Sequence, residues 1–321
     1  MSVSFAGSPD RIEARLVPEA GFPFDSFRVG GLPRRPGPAQ ARAALLAGRA
    51  VRACASILAA RKPDVVLGGG GYVAGPMVYA AWRRRIPAAL TEADAHLGLA
   101  NRLAAPFARR VFLAYPVPGR DGSKYRVVGR PVPRSQPVAP GVARRRFGLP
   151  EEGRVLLVVG GSLGAQAVNE LAVDAWGAEG PAVLHLCGER YADELAGRAL
   201  RPEYRLIAWT DDFAGALAAA DLVLGRAGGA VWEIAAAGKP AVLVPSPNVT
   251  ADHQTKNARY FEAAGGAVVV AESELARVPE VVRALLVDDA RLAAMGEAMR
   301  AAAKPDAADV IAEELIALAS A

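Results

Sequence analysis

The 321-residue chain is 52% hydrophobic and carries 38 basic against 33 acidic side chains, a net charge of +5. That length and composition bury a full core in two domains and exclude a disordered chain. Arginines interrupt every long apolar stretch, the start MSVSFAGSPDRIEARL lacks a signal peptide's pattern, and Cys54 and Cys187 lie too far apart for a disulfide framework or a zinc site, so a cytosolic or peripheral protein is expected.

The charge is unevenly spread. Residues 1–130 hold 20 basic and 8 acidic side chains, whereas residues 131–321 hold 18 and 25. Arginines at 34–35, 83–85 and 109–110 suit the first half to anionic lipid head groups or a pyrophosphate, with Leu32, Leu45, Leu46 and Trp82 as apolar company.

In chain order, short β-branched runs ending near glycine predict strands at residues 3–6, 65–67, 88–90, 111–113, 155–159, 183–186, 222–224, 241–244 and 267–270, with alanine-rich helical stretches between them. This βαβ alternation predicts an α/β fold with parallel sheets. The proline-rich segment 127–150 places a domain boundary near Gly129.

The first glycine run, DVVLGGGGYVAGP at 64–76, satisfies G-x-G-x-x-A through Gly69, Gly71 and Ala74, and Glu92 follows at the distance of a ribose-binding acid. That pattern makes a nicotinamide-dependent oxidoreductase the sharpest rival reading.

In the second half, VLLVVGGSLG at 155–164 runs from a buried strand into a glycine-rich turn and then a helix. Backbone N–H groups there, with the hydroxyl of Ser162 and the helix dipole behind them, suit a diphosphate. The segment DLVLGRAGGAVWEIAAAG at 221–238 repeats the design and sets Glu233 in the second helical turn, placed to accept from two vicinal hydroxyls of a ribose. Arg226 beside that turn can serve a phosphate or Glu233. The loop PSPNVTADHQTKNA at 245–258 puts Gln254 and Asn257 on one helical face, within reach of sugar hydroxyls, while His253 is expected to cap or hydrogen-bond rather than act as a base.

Together these motifs resemble the MurG family of glycosyltransferases: GGYVAGP at 70–76, GGSLGA at 160–165, EIAAAGKP at 233–240 and DHQTKNA at 252–258 stand in family order. The resemblance implies a GT-B fold, two Rossmann-like domains facing a central cleft, divided as 1–129, 130–302 and a C-terminal helical segment 303–321 packing back on the first domain. It implies inverting transfer of N-acetylglucosamine from UDP-GlcNAc to a lipid-linked muramyl-pentapeptide at the cytoplasmic face of the membrane, with an anionic membrane surface as partner and no metal, cofactor or nucleic acid.

By the same resemblance Gly161, Ser162, Gly164, Arg226, Gly228, Glu233, Gln254, Asn257, Asp94 and Arg134 would hold the donor, and Gly70, Gly71 and Tyr72 would line the acceptor side. Two other readings stand beside it, a UDP-sugar-binding subunit and a GT-B transferase with a different lipid acceptor. Family members open with a strand, the loop GGTGGH and a helix ahead of the segment that here starts at Val3. The resemblance implies that this unit and its histidine, the family's leading base, are missing from these residues. It leaves Glu92, Asp94 and His96 as the clustered proton acceptors and the first sheet with an exposed edge.

Overall fold

The computed structural model describes residues 2–30, 38–134, 136–161, 163–198 and 200–320, with backbone alone for 38–45 and 47. The chain divides into two compact units, one of residues 1–128 with 309–321 and one of residues 129–308. No helix among the described residues is long and apolar enough to cross a membrane.

The first unit contains β1 (Phe5–Gly7), β2 (Phe24–Ser26), β3 (Val66–Gly68), β4 (Ala88–Glu92), β5 (Arg110–Leu113) and β6 (Tyr125–Val127). Its strands form two separate parallel sheets, β1-β2 and β3-β4-β5-β6. Both pieces share one core: Ala6 and Val29 pack against a cluster that includes Phe27, Cys54, Leu58, Val78 and Leu90. Burial among these apolar neighbours pushes the Cys54 thiol up to about 12, so it stays protonated and inert. The C-terminal helix Ala307–Ala319 covers another face of this unit. Its Ile311 and Leu318 pack with Ala89, Phe112 and Val128, while Glu314 pairs with Arg110 at 3.2 Å and Arg126 at 2.6 Å. Residues 303–306, expected to begin this segment, lie in the second unit instead.

The second unit contains β7 (Val155–Val159), β8 (Ala182–Leu186), β9 (Tyr204–Ile207), β10 (Leu222–Gly225), β11 (Ala241–Leu243) and β12 (Ala267–Val269). They form one six-stranded parallel sheet in the order β12-β11-β10-β7-β8-β9. Numbered within the unit this is 6-5-4-1-2-3, the doubly wound Rossmann order. All five residues of β7 and of β8 are buried, because helices cover both faces of the central strands. The order matters for function: β7 and β10 are neighbours whose chains leave in opposite directions, and ligands of such sheets bind beyond the carboxyl ends of that strand pair.

Three strands escape a reading of aliphatic runs: β2 (FDS), β6 (YRV) and β9 (YRLI). Each lies at a sheet edge, where one side faces solvent and polar residues are tolerated.

Candidate nucleotide-sugar site

The turn at 160–164 leaves the carboxyl end of β7 and enters the helix Gln166–Trp176. Gly161 has φ +88° and Gly164 φ +72°, the left-handed region that side chains avoid, and the Gly164 N–H donates to the Gly161 carbonyl at 3.0 Å. A Cβ at Gly164 would collide with the Cys187 carbonyl, whereas one at Gly161 would meet nothing within 4 Å. Gly164 is therefore packed behind and Gly161 open in front, as a site for an approaching anion requires. Ser162 lies outside the described residues.

Beside it, the turn at 226–230 leaves β10. The two strand ends touch: Arg226 N–H donates to the Val159 carbonyl at 3.3 Å, and a Cβ on Gly225 would lie 2.7 Å from that same oxygen. Gly228 opens onto free space, and Gly229 packs against the Arg130 guanidinium so closely that any side chain would displace it. Glu233 follows in the first turn of the helix Val231–Ala236, one turn earlier than expected. It is half-buried, and its carboxylate accepts no hydrogen bond among the described residues, while its backbone carbonyl accepts from the Ala237 N–H at 2.9 Å. Burial raises its pKa above the ordinary carboxylate range, and the nearby Arg130 charge draws it part of the way back.

Two expectations need correction here. Arg226 does not serve Glu233: its guanidinium pairs with Glu272 and donates to the carbonyls of Val244 at 3.1 Å and Pro245 at 3.3 Å, which ties β10 to the strand beside it. The cation at Glu233 is Arg130, which forms no ion pair within contact distance among the described residues. Its sequence signal was slight, an arginine directly after Gly129, with its turn about a hundred residues away along the chain.

Asn257 is the second correction. It is 1% exposed and its Nδ2 donates to the Ala227 carbonyl at 3.1 Å, so it braces the 226–230 turn from behind instead of sharing an open face with Gln254. Gln254 remains partly exposed at the start of the helix His253–Ala263, its Oε1 accepting from the Ser246 N–H at 2.8 Å, which leaves its Nε2 donor pointing elsewhere. His253 Nδ1 lies 2.9 Å from the Thr250 carbonyl, a local cap. Just ahead of that helix Ala251 and Asp252 both take left-handed backbone, with φ +56° and +50°, an uncommon conformation for two consecutive residues with side chains. Arg134 is exposed in an irregular stretch of the second unit.

In the first unit, Gly70 and Gly71 take φ +89° and +68° between β3 and the helix Gly71–Arg83, and the Tyr72 hydroxyl accepts from Arg11 Nε at 3.2 Å. The neighbouring strand β4 ends at Glu92. Its carboxylate accepts from the Ala93 N–H at 3.0 Å, the Asp94 N–H at 3.4 Å, the Gly98 N–H at 2.9 Å and Asn101 Nδ2 at 2.9 Å. Both oxygens are spent on shaping the loop at 93–98. With these four bonds the carboxylate has no acceptor position left for the hydroxyls of a ribose, as a dinucleotide fingerprint would require. Asp94 and His96 are carried, half-buried, on the loop that it folds.

The two parallel α/β units, one of them doubly wound with glycine turns at its switch point, define the GT-B class of glycosyltransferase folds. The description of the glycosyltransferase family 28 N-terminal domain matches residues 1–113, and that of the family 28 C-terminal domain matches residues 155–311. The chain belongs to glycosyltransferase family 28. A UDP-N-acetylglucosamine--N-acetylmuramyl-(pentapeptide) pyrophosphoryl-undecaprenol N-acetylglucosamine transferase of Salinibacter ruber is 44% identical over 99% of this chain and 88% of its own length. The enzyme of the same description from Mycobacterium bovis is 40% identical over 99% of this chain and 82% of its own. The crystal structure of Acinetobacter baumannii MurG superposes with a TM-score of 0.77 at 27% identity, covering 98% of this chain and 90% of that one.

Proposed function

We propose that this chain transfers N-acetylglucosamine from UDP-GlcNAc to a lipid-linked muramyl-pentapeptide in peptidoglycan synthesis, as the names of its relatives state for them. The observation that carries the donor half of the reading is the carboxylate and arginine at the switch point. The Glu233 carboxylate is half-buried and accepts no hydrogen bond among the described residues, Arg130 beside it forms no ion pair among them, and Arg130 packs on Gly229 in the turn where Gly228 opens onto free space. Vicinal ribose hydroxyls would donate to Glu233, the diphosphate would rest on the N–H groups of the turn at 160–164, and Arg130 would face its charge. Gln254 Nε2 would donate to the sugar.

In transfer, a base takes the proton from the acceptor hydroxyl while the oxygen attacks the anomeric carbon from the face opposite UDP, so configuration inverts and the C–O bond to the diphosphate breaks. Backbone donors and Arg130 would stabilise the charge developing on departing UDP, a role that requires no metal. Asp94 or His96, on the loop that follows β4, would take that proton. Gly70, Gly71 and Tyr72 would line the acceptor side.

Contact with the membrane would use a surface of the first unit. Trp82, Leu99 and Leu103 are 50%, 59% and 54% exposed on helices that pack together, and Trp82 stacks on Tyr79 and tilts against Phe107 with centroids 5.7 and 5.0 Å away. Arg83, Arg84, Arg85, Arg102 and Arg109, on or next to the same helices, are all exposed. An apolar patch with exposed arginines suits the interface of an anionic bilayer, where rings and aliphatic chains enter the head-group region and cations face phosphate. Of the other residues read as lipid-facing, Leu32, Arg34 and Arg35 and the side chain of Leu45 lie outside the described residues, and Leu46 is half-buried.

The test is direct. The chain is incubated with radiolabelled UDP-GlcNAc and a lipid-linked muramyl-pentapeptide in excess chelator, and the product is separated by chromatography. Label in the lipid fraction with release of UDP supports the reading; UDP binding without transfer would reduce the chain to a UDP-sugar-binding subunit.

A further inference from the structure

The core of the second unit contains polar residues that an aliphatic parallel sheet has no need of. His185, on β8, is fully buried; Tyr204, on β9, is 4% exposed and Asn169, on the helix Gln166–Trp176, is 1% exposed. Their hydrogen bonds run in one direction. Asn169 Nδ2 donates to the Cys187 carbonyl at 2.9 Å, which turns its Oδ1 toward His185 Nε2 at 3.0 Å. An amide oxygen only accepts, so His185 carries its proton on Nε2, and its Nδ1 accepts from the Tyr204 hydroxyl at 2.8 Å. Burial holds the ring neutral, its pKa down to about 3. An apolar trio would fill this space without the cost of desolvating polar groups.

What the polar chain supplies is an aimed carbonyl. The Cys187 oxygen at its end sits where a Cβ of Gly164 would stand, and Gly188 lies so close that its own Cβ would be 2.5 Å from the Gly164 nitrogen. The Cys187–Gly188 backbone is therefore the rear wall of the turn at 160–164. Asn169 stands one helical turn past the end of that same turn, its N–H donating to the Ala165 carbonyl at 2.9 Å. One side chain thus clamps the helix leaving the turn to the wall behind it. We propose that Tyr204, His185 and Asn169 are positioning residues that hold Gly164 against the Cys187–Gly188 backbone and so fix the rear of the site that receives the donor's diphosphate. The proposal rests on the reading of that turn given above.

The experiment compares the affinities of the full chain for UDP and for uridine, which lacks the phosphates. Asn169→Leu removes both links of the clamp and is expected to lower the UDP-to-uridine affinity ratio about tenfold, the effect of misaiming one hydrogen bond to a charged group. Tyr204→Phe, which removes a single hydroxyl, should lower it about twofold, and it carries the test should Asn169→Leu fail to fold. Leu184→Ala, at a fully buried site outside the polar chain, should lower the melting temperature and leave the ratio alone. A wild-type ratio in the folded Asn169 and Tyr204 variants, or an equal fall in Leu184→Ala, would overturn the positioning role. Gly164→Ala separates the two failures, because it drives a side chain into the turn itself. If Gly164→Ala collapses the ratio and Asn169→Leu does not, the positioning inference alone fails; if Gly164→Ala leaves the ratio intact, the diphosphate reading fails and the inference falls with it.

Discussion

The two units use the same construction, parallel strands alternating with helices, and build it to different depths. In the second, one sheet of six strands runs unbroken and its central strands are buried along their whole length. In the first, the strands fall into two sheets, and edge strands expose apolar side chains, Phe5 of β1 at 43% and Leu67 of β3 at 42%. A parallel strand depends on cover from both faces, so burial reports how much each strand contributes to holding its unit together. The second unit keeps the Glu233 carboxylate at its switch point without a hydrogen bond from the described residues, whereas the first exposes Trp82, Leu99 and Leu103.

The sharpest way to break this comparison is to truncate one large apolar residue in each unit. Trp232 is 1% exposed and meets Phe261 edge to face with centroids 5.3 Å apart. Trp232→Ala should cost about 3–5 kcal/mol in chemical denaturation, as large-to-small changes in a closed core do. Leu67→Ala, at the exposed edge of β3, should cost about 1 kcal/mol or less. Comparable losses would mean that the two sheets are equally consolidated.

A smaller effect follows from His185. Buried, it titrates near 3, while in the unfolded chain it takes its proton near 6.5, so between those values the unfolded state binds more protons. Its contribution is complete above about pH 6.5 and is lost as the pH falls toward about 3, with a slope up to about 1.4 kcal/mol per unit. Urea unfolding at about pH 7 and about pH 5 should show about 2 kcal/mol of loss from this group, absent in His185→Gln. The smallest effect belongs to the exposed patch. Replacing Leu99 and Leu103 with Ser should weaken sedimentation with anionic vesicles, and salt should weaken it further, because exposed charges are screened within about 8 Å at physiological ionic strength. Unchanged binding in both conditions would remove this face from the membrane.

The alternation of strand and helix and the glycine turns were open to sequence reading because each depends on residues close together in the chain, whereas Glu233 lies one turn earlier in its helix than that reading placed it. What failed depended on distance or direction. The spacing of Gln254 and Asn257 placed them on one helical face, but periodicity does not say whether an amide turns inward, and Asn257 does so to reach Ala227. Arg226 lay next to the turn in sequence, yet Glu272, far along the chain, claims it, and Arg130 takes the place beside Glu233 from the other side. Glu92 read as a free acid because its four partners are three backbone N–H groups of a loop whose shape composition cannot reveal and the amide of Asn101 on the helix after it. The chain from Tyr204 through His185 to Asn169 was invisible for the same reason: three ordinary residues on a strand, its neighbouring strand and a helix meet only in the fold.

The central claim is that the second unit holds the nucleotide through Glu233, and calorimetric titration with UDP and with 2′,3′-dideoxy-UDP tests it most directly. In excess chelator, Glu233→Ala should weaken UDP by about 1–3 kcal/mol, the worth of hydrogen bonds to a charged group, and leave the dideoxy nucleotide nearly unchanged. Equal losses for the two ligands, or none for either, would contradict the account.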